Sequence, residues 1–227
     1  MITVILHSER VDPGIIGTMS ELVTAASEGV VRDVVLVTSE RTDFVEELLD
    51  STGAECEIHS GSRAERLTTA GFRQVRGSWL LFLEAGVRLE PGWHLSASDF
   101  IERSIKGGRH DLVATFRYQS PISSLAGKLD EFAFRMRTRT LGLPSPDQGM
   151  LIDRNLYKHI GGHRDFGSLT DADLWKRIGG SRLSHLNSSI KPLSGDAAEG
   201  RKSSFVHMVK MALVCLRFPP SMVAKML

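Results

Sequence analysis

Apolar residues along this chain fall into short unbroken runs, separated by stretches with helical spacing. Residues 2–6, 34–37 and 79–83 are such runs, each bounded by polar residues, and they read as buried strands. Between the first two, Ile16, Met19, Leu22, Val23 and Ala26 recur at helical intervals, which predicts a helix over 15–28 stopped by Gly29. A second helix is expected over 44–49, with Thr42 or Asp43 as its cap, then a short strand at 56–58 and a helix over 62–75 closed by Gly77. The 79–83 run, Trp79-Leu80-Leu81-Phe82-Leu83, is apolar at every position. That pattern suits a strand covered on both faces, as in a parallel sheet. The alternation of strand and helix predicts a doubly wound α/β unit over residues 1–95, a Rossmann-like, mostly parallel sheet flanked by helices. Ligands of such sheets sit at the carboxyl ends of the strands.

The second half is less regular. It predicts helices over 98–106, 122–141, 155–160 and 171–178, strands at 111–118, 150–152 and 183–186, and a last helix over 203–218. Pro144 and Pro146 stop the long helix, and Gly161-Gly162 the short one. No stretch reads as a linker. The chain is therefore expected to be one domain, 1–227, with a nucleotide-binding half (1–95) and an acceptor half (96–227).

Composition narrows the function. With 227 residues, 41% hydrophobic and 24% charged, the chain is long enough to bury a substantial core. A net charge of +1 supplies no global field for nucleic acid, so no nucleic-acid partner is expected. The two cysteines, Cys56 and Cys215, form no CxxC pair, which suits a reduced, cytoplasmic protein. The start, Met1-Ile2-Thr3-Val4-Ile5-Leu6, lacks the basic region of a signal peptide, and no apolar window reaches the roughly 18 residues of a membrane span. In the last helix, Met211 to Leu216 is apolar, with Lys210, Arg217 and Lys225 nearby. Core packing is the plain reading of this helix; peripheral contact with an anionic membrane is the sharper one.

Candidate chemistry gathers at strand ends and helix starts. The 79–83 strand runs into Glu84-Ala85-Gly86-Val87-Arg88. A carboxylate there is a candidate to hold Mg²⁺ or Mn²⁺ against a diphosphate, although metal turns ordinarily carry two closely spaced carboxylates and this one carries only Glu84. The plain alternative is one solvated Glu after a core strand. Arg88 is a second candidate to meet phosphate charge. Arg63, Arg66 and Arg73 lie at helical spacing, either as a face toward a diphosphate or as a solvated basic face. Asp171, in Ser168-Leu169-Thr170-Asp171-Ala172-Asp173, stands at a helix start, where a carboxylate serves either as a general base or as a cap. His159 and His163 are separated by Gly161-Gly162, which breaks the helical face a zinc pair needs, and no P-loop or nucleophile-elbow motif occurs.

The order of these segments resembles family 2 glycosyltransferases with the GT-A fold, especially a small bacterial branch of arsenosugar-type glycosyltransferases, along nearly the whole chain. Residues 3–6 stand at the family's first strand, and residues 34–43 resemble its second strand and acidic turn. Ser62-Arg63-Ala64-Glu65-Arg66-Leu67 resembles the segment after the third strand, and residues 77–91 the fourth strand and DxD turn. Pro146-Asp147-Gln148-Gly149-Met150 followed by Ile160-Gly161-Gly162 is similar to the branch's distinctive stretch, and Thr170-Asp171 falls at its ED pair. The resemblance implies a probe-able set of roles: inverting transfer of a sugar from a nucleotide-sugar donor to an acceptor it does not name, with Asp171 as catalytic base. Asp43 would contact the base or ribose, Arg63 the phosphates, Glu84 a metal, and Asp147 and Gln148 the acceptor. Three departures stand out. The DxD reads Glu84-Ala85-Gly86, the ED reads Thr170-Asp171, and the first strand ends in Leu6-His7-Ser8-Glu9. Gly86 and Thr170 keep open a second reading, a catalytically degenerate binding or regulatory protein on the same scaffold.

Overall fold

The computed structural model describes residues 1–73 and 76–193. The helix expected over 203–218, Cys215 and the membrane contact assigned to that helix lie outside the described residues. In chain order the elements are β1 (Ile2–His7), α1 (Ile15–Ser27), β2 (Val31–Thr38), α2 (Asp43–Thr52), β3 (Glu55–Ile58), α3 (Arg63–Phe72), β4 (Trp79–Glu84), β5 (Val87–Leu89), α4 (Trp93–Lys106), β6 (Val113–Tyr118), α5 (Leu125–Leu141), β7 (Met150–Asp153), α6 (Arg154–His159), α7 (Thr170–Ile178) and β8 (Leu183–Pro192).

The strands form one eight-stranded sheet in the order β3-β2-β1-β4-β7-β6-β8-β5. The three apolar runs of the first half are adjacent and parallel, β2-β1-β4, with β3 parallel at the edge. Alternation along these strands feeds two separate cores. Ile2, Val4 and Leu6 of β1, with Trp79, Leu81 and Leu83 of β4, face α1, α2 and α4. Ile5, Leu80 and Phe82 face the opposite way, toward α3, α6 and α7. Both faces are buried, so the strands have no polar positions to spare.

Beyond β4 the sheet changes character. β7 is antiparallel to both β4 and β6, β8 is parallel to β6, and β5 is antiparallel to β8. β5, which the apolar pattern does not predict, therefore leaves the strand it follows and closes the far edge. That excursion fixes the acidic turn between β4 and β5, and the backbone N–H of Leu193 donates to the Gly86 carbonyl at 2.7 Å.

Local caps set the helix starts near that turn. Ser62 and Glu65 form a reciprocal capping box at α3, which makes Arg63 its first residue. At α2 the Thr42 hydroxyl accepts from the Val45 N–H at 3.3 Å, so Thr42 is the cap and Asp43 is the first helical residue. Gly149, with φ +60°, lies where a Cβ would come within 2.8 Å of the Leu83 side chain and 3.2 Å of the Phe82 carbonyl. Only glycine lets the turn before β7 press this closely on the end of β4.

Candidate active site

Four elements bring charged groups to the carboxyl end of β4. The parallel register of β1 and β4 pairs His7 with Glu84, and the His7 ring nitrogen Nδ1 lies 2.7 Å from Glu84 Oε2. Arg63, at the start of α3, donates through Nε to Glu84 Oε1 at 3.0 Å. Its Nη1 donates to Asp171 Oδ2 at 3.0 Å and Oδ1 at 3.3 Å, at the start of α7. One guanidinium thus ties the β4 carboxylate to the α7 carboxylate. The three side chains keep 28%, 21% and 18% of their surface exposed for Arg63, Glu84 and Asp171. They line a narrow cleft together with Phe82, Pro146 and His163.

The two carboxyl groups respond differently to this setting. Burial works to raise Glu84, but the hydrogen bond from His7 and the charge of Arg63 outweigh it and hold the group at about 2. Asp171 goes the other way: burial raises it, Arg63 only partly offsets that, and the charge on Glu84 pushes it further up. His163 packs behind Asp171, its Nε2 3.9 Å from Oδ1. Its Nδ1 lies 2.6 Å from the Tyr157 hydroxyl. Burial and then the Arg63 charge drive His163 well below its ordinary value, so it stays neutral.

The three arginines with helical spacing go to three different places. Arg63 enters the cleft. Arg66 is buried, donating to the Gly61 carbonyl at 2.7 Å and to Glu9 at 2.6 Å, with His7 Nε2 3.4 Å away. The two His7 ring nitrogens thus face Glu84 on one side and Arg66 on the other. Arg73 lies outside, paired with Glu55 and Glu57. Arg88 is exposed on β5 and lines neither cavity at the Glu84 turn.

The remaining candidates are more dispersed. Asp147 sits in a single 3₁₀ turn, Pro146–Gln148, where the Ser145 hydroxyl donates to it at 3.2 Å. Burial first, and then the Glu84 charge, raise its carboxyl, which places it within the electrostatic reach of the Arg63 cluster. Gln148 is buried: its Oε1 accepts from the Ser145 N–H at 3.0 Å and the Thr138 hydroxyl at 3.1 Å, and its Nε2 donates to the Phe116 carbonyl at 3.2 Å. Asp43 is exposed in the first turn of α2. The N-cap position of α7 is Leu169, which offers no capping side chain, and the Asp171 carboxylate reaches across to Arg63. Glu84 is likewise not the freely solvated group of its plain alternative.

Two groups were given no role at this site from the sequence, His7 and His163. For His7 the signal was a polar, titratable residue closing a buried strand. For His163 there was none, since its role comes from packing across α6 and β4.

A second cavity, of about 310 Å³, opens on the other side of Glu84, lined by His7, Ser8, Glu9, Arg10, Glu84 and Gly86 among others. The donor set at this turn is poor for a divalent ion. Each Glu84 oxygen already accepts a hydrogen bond, the second carboxylate position is Gly86, and the described residues hold no group of three or more His, Cys, Asp or Glu able to take a metal.

The sheet order, the helical layers and the cleft at the carboxyl end of β4 make this the GT-A glycosyltransferase fold. Mannosyl-3-phosphoglycerate synthase from Rubrobacter xylanophilus superposes with a TM-score of 0.66 at 15% identity, over 95% of this chain and 74% of that one. Glucosyl-3-phosphoglycerate synthase from Mycobacterium tuberculosis, in complex with Mn²⁺, UDP and glucosyl-3-phosphoglycerate, gives 0.64 at 15% identity, over 96% and 80%. S. aureus TarS gives 0.63 at 16% identity, over 93% of this chain and 39% of that chain. No protein-family model matches the sequence. No curated protein sequence matches it either.

Proposed function

We propose that this protein transfers a sugar from a nucleotide-sugar donor to an acceptor hydroxyl with inversion at the anomeric carbon. The observation that carries the reading is the convergence of Arg63, Glu84 and Asp171 in the cleft where this fold presents its strand ends. Asp171 is the base. Its carboxylate takes the proton of the acceptor hydroxyl as that oxygen attacks the anomeric carbon, and the bond from that carbon to the diphosphate oxygen breaks in line. A carboxyl raised by burial is a stronger base than one in water, which suits this work near neutral pH.

The donor is assigned to the cavity beside Glu84, with Asp43 reaching the base or ribose and Arg63 near the phosphates. The acceptor enters past Asp147, whose turn Gln148 holds from behind. The nucleotide-binding half, 1–95, and the acceptor half then meet at Glu84 and Asp171. Two neighbours of the fold are named as synthases of mannosyl- and glucosyl-3-phosphoglycerate, and a small hydroxyl compound is the corresponding acceptor class here. The test is a panel of UDP- and GDP-sugars with candidate acceptors, scored by release of nucleoside diphosphate. Release above the acceptor-free rate supports transfer.

A second reading has its own observation. Arg63, Glu84 and Asp171 satisfy one another without a ligand, and Gly86 supplies no second carboxylate, as expected of a binding protein on this scaffold. Nucleotide binding with no sugar transfer across the panel would select it.

A further inference from the structure

We infer that Arg63 takes the place of the divalent ion in this site: its guanidinium leaves Asp171 and receives the donor's diphosphate directly. The inference rests on the nucleotide-sugar reading above and deepens it.

The argument begins with the charges that face a bound diphosphate. Among the described residues lining the two cavities at Glu84, the arginines are Arg63 and Arg10, and none is a lysine. His163 is buried and neutral. Arg66 is spent on Glu9 and the Gly61 carbonyl. Arg10 is exposed near the chain end of β1, so its charge is screened by water. Arg63 is left as the partly buried, permanently charged fork between the strand end and the base.

The position of an ion is already filled. In a metal site the carboxylate at this turn must offer an oxygen to the cation. Here Glu84 offers one oxygen to His7 and the other to Arg63. The second acidic position is Gly86, whose backbone has φ +77° and whose missing side chain would meet nothing within 4 Å. The space beside the turn is thus open; of the other carboxylates lining that cavity, Glu9 is paired with Arg66 and Asp12 accepts from the Gly14 N–H.

Chemistry accounts for the exchange. Planar guanidinium groups match phosphate oxygens with two parallel N–H bonds. Arg63 uses Nη1 on Asp171 while Nε and Nη2 both hold Glu84 Oε1. A diphosphate arriving from the Glu84 side competes for the Nη1 donors and for the second N–H of Nη2. When it wins, Arg63 stays anchored on Glu84 through Nε, and the Asp171 carboxylate loses its partner and becomes free to accept the acceptor's proton. As the glycosidic bond to the diphosphate breaks, the electron pair goes to the diphosphate oxygen, and the Arg63 N–H bonds receive that developing charge. Atoms and charge balance without a resident metal. Donor binding and release of the base become one event.

The experiment is calorimetric titration of the full chain with UDP and GDP, each in EDTA and in millimolar Mn²⁺, together with uridine and guanosine. Expected for the wild type is binding of at least one diphosphate in EDTA, changed less than about twofold by Mn²⁺. Expected for Arg63→Lys is a loss of about tenfold or more in diphosphate affinity, with the matching nucleoside bound as before. Retained nucleoside binding also shows that the variant is folded. If wild-type diphosphate binding needs Mn²⁺ and vanishes in EDTA, the inference fails while the nucleotide reading stands. If Arg63→Lys binds diphosphate as tightly as wild type in EDTA, the assignment to Arg63 fails. If wild type binds no nucleotide under either condition, the proposed function fails, and this inference with it.

Discussion

Glu84 and Asp171 accept hydrogen bonds from the same guanidinium, yet their surroundings pull them apart. Glu84 ends a strand whose neighbour supplies a second donor, His7, so its charge is doubly satisfied and the group is held at about 2. Asp171 starts a helix, has Arg63 as its one close cation and feels the negative charge of Glu84, so it is pushed up instead. Two carboxyl groups set apart in this way suit a division of labour in the proposed reaction, one as a fixed charge and the other as the base. The arrangement comes from topology. A residue at a parallel strand end gains a partner from the adjacent strand, and a residue at a helix start must find one across the cleft.

The largest effect separating the two should come from Asp171→Asn. It removes the basic oxygen with little change of shape, and turnover should fall by about 100-fold or more, while diphosphate affinity should be kept or raised, because Arg63 no longer has to leave an ionised partner. Released nucleotide and calorimetry measure the two quantities. Undiminished turnover would remove Asp171 from the chemistry and leave it as a partner of Arg63.

Glu84→Gln should act on stability instead. It leaves His7 and Arg63 without their ionised acceptor and should cost about 2 kcal/mol, read as a lower midpoint in urea. The sign with pH is fixed. Because the folded-state value lies below the ordinary 4.5, the stabilisation is complete above 4.5 and is lost as pH falls toward 2. The variant should lack this acid-side loss. An identical acid limb in wild type and variant would show that Glu84 is not the group being held.

The pH dependence of turnover tests Asp171 directly. Its folded value is raised above 3.8, so the base should lose activity with a midpoint above 3.8, by about tenfold per unit below it. For folding the sign is opposite to that of Glu84. The protonated form is the one favoured on folding, so this group's contribution is present at low pH and is lost as pH rises through the raised value. A turnover midpoint at or below 3.8 would erase the distinction between the two groups. The smallest effect is a gain. Gly86→Asp restores a second carboxylate beside Glu84 in open space, at the modest backbone cost of a left-handed Asp. Mn²⁺ should then strengthen diphosphate binding by about threefold or more, an effect the wild type should not show.

Much of the scaffold was legible from the chain. The apolar runs at residues 2–6, 34–37 and 79–83 read as buried strands, and they form most of the parallel half of the sheet. The other half was read less well for physical reasons. β5 has three residues, Val87-Arg88-Leu89, and only its pairing with the distant β8 makes it a strand. β8 runs on through Asn187-Ser188-Ser189 to Pro192, where no apolar pattern marks it, because the sheet itself supplies the partners. α4 begins at Trp93 rather than at residue 98, after Gly92 in a left-handed conformation that no cap signature announces. At the site, spacing placed Arg63, Arg66 and Arg73 together but did not say which one would turn inward. That choice is made by Glu9 and Glu55, which lie far away in sequence and claim the other two. Gln148 was visible as a motif residue, but its buried bonds to Thr138 and Phe116 depend on how α5 crosses β6.

The backbone hydrogen bond from Leu193 to Gly86 ties Leu193 to the rim of the cavity beside Glu84. A label placed at Leu193 would therefore sit one hydrogen bond from the acidic turn proposed to meet the donor. Fluorescence there would serve as an optical gauge of occupancy, independent of any product assay.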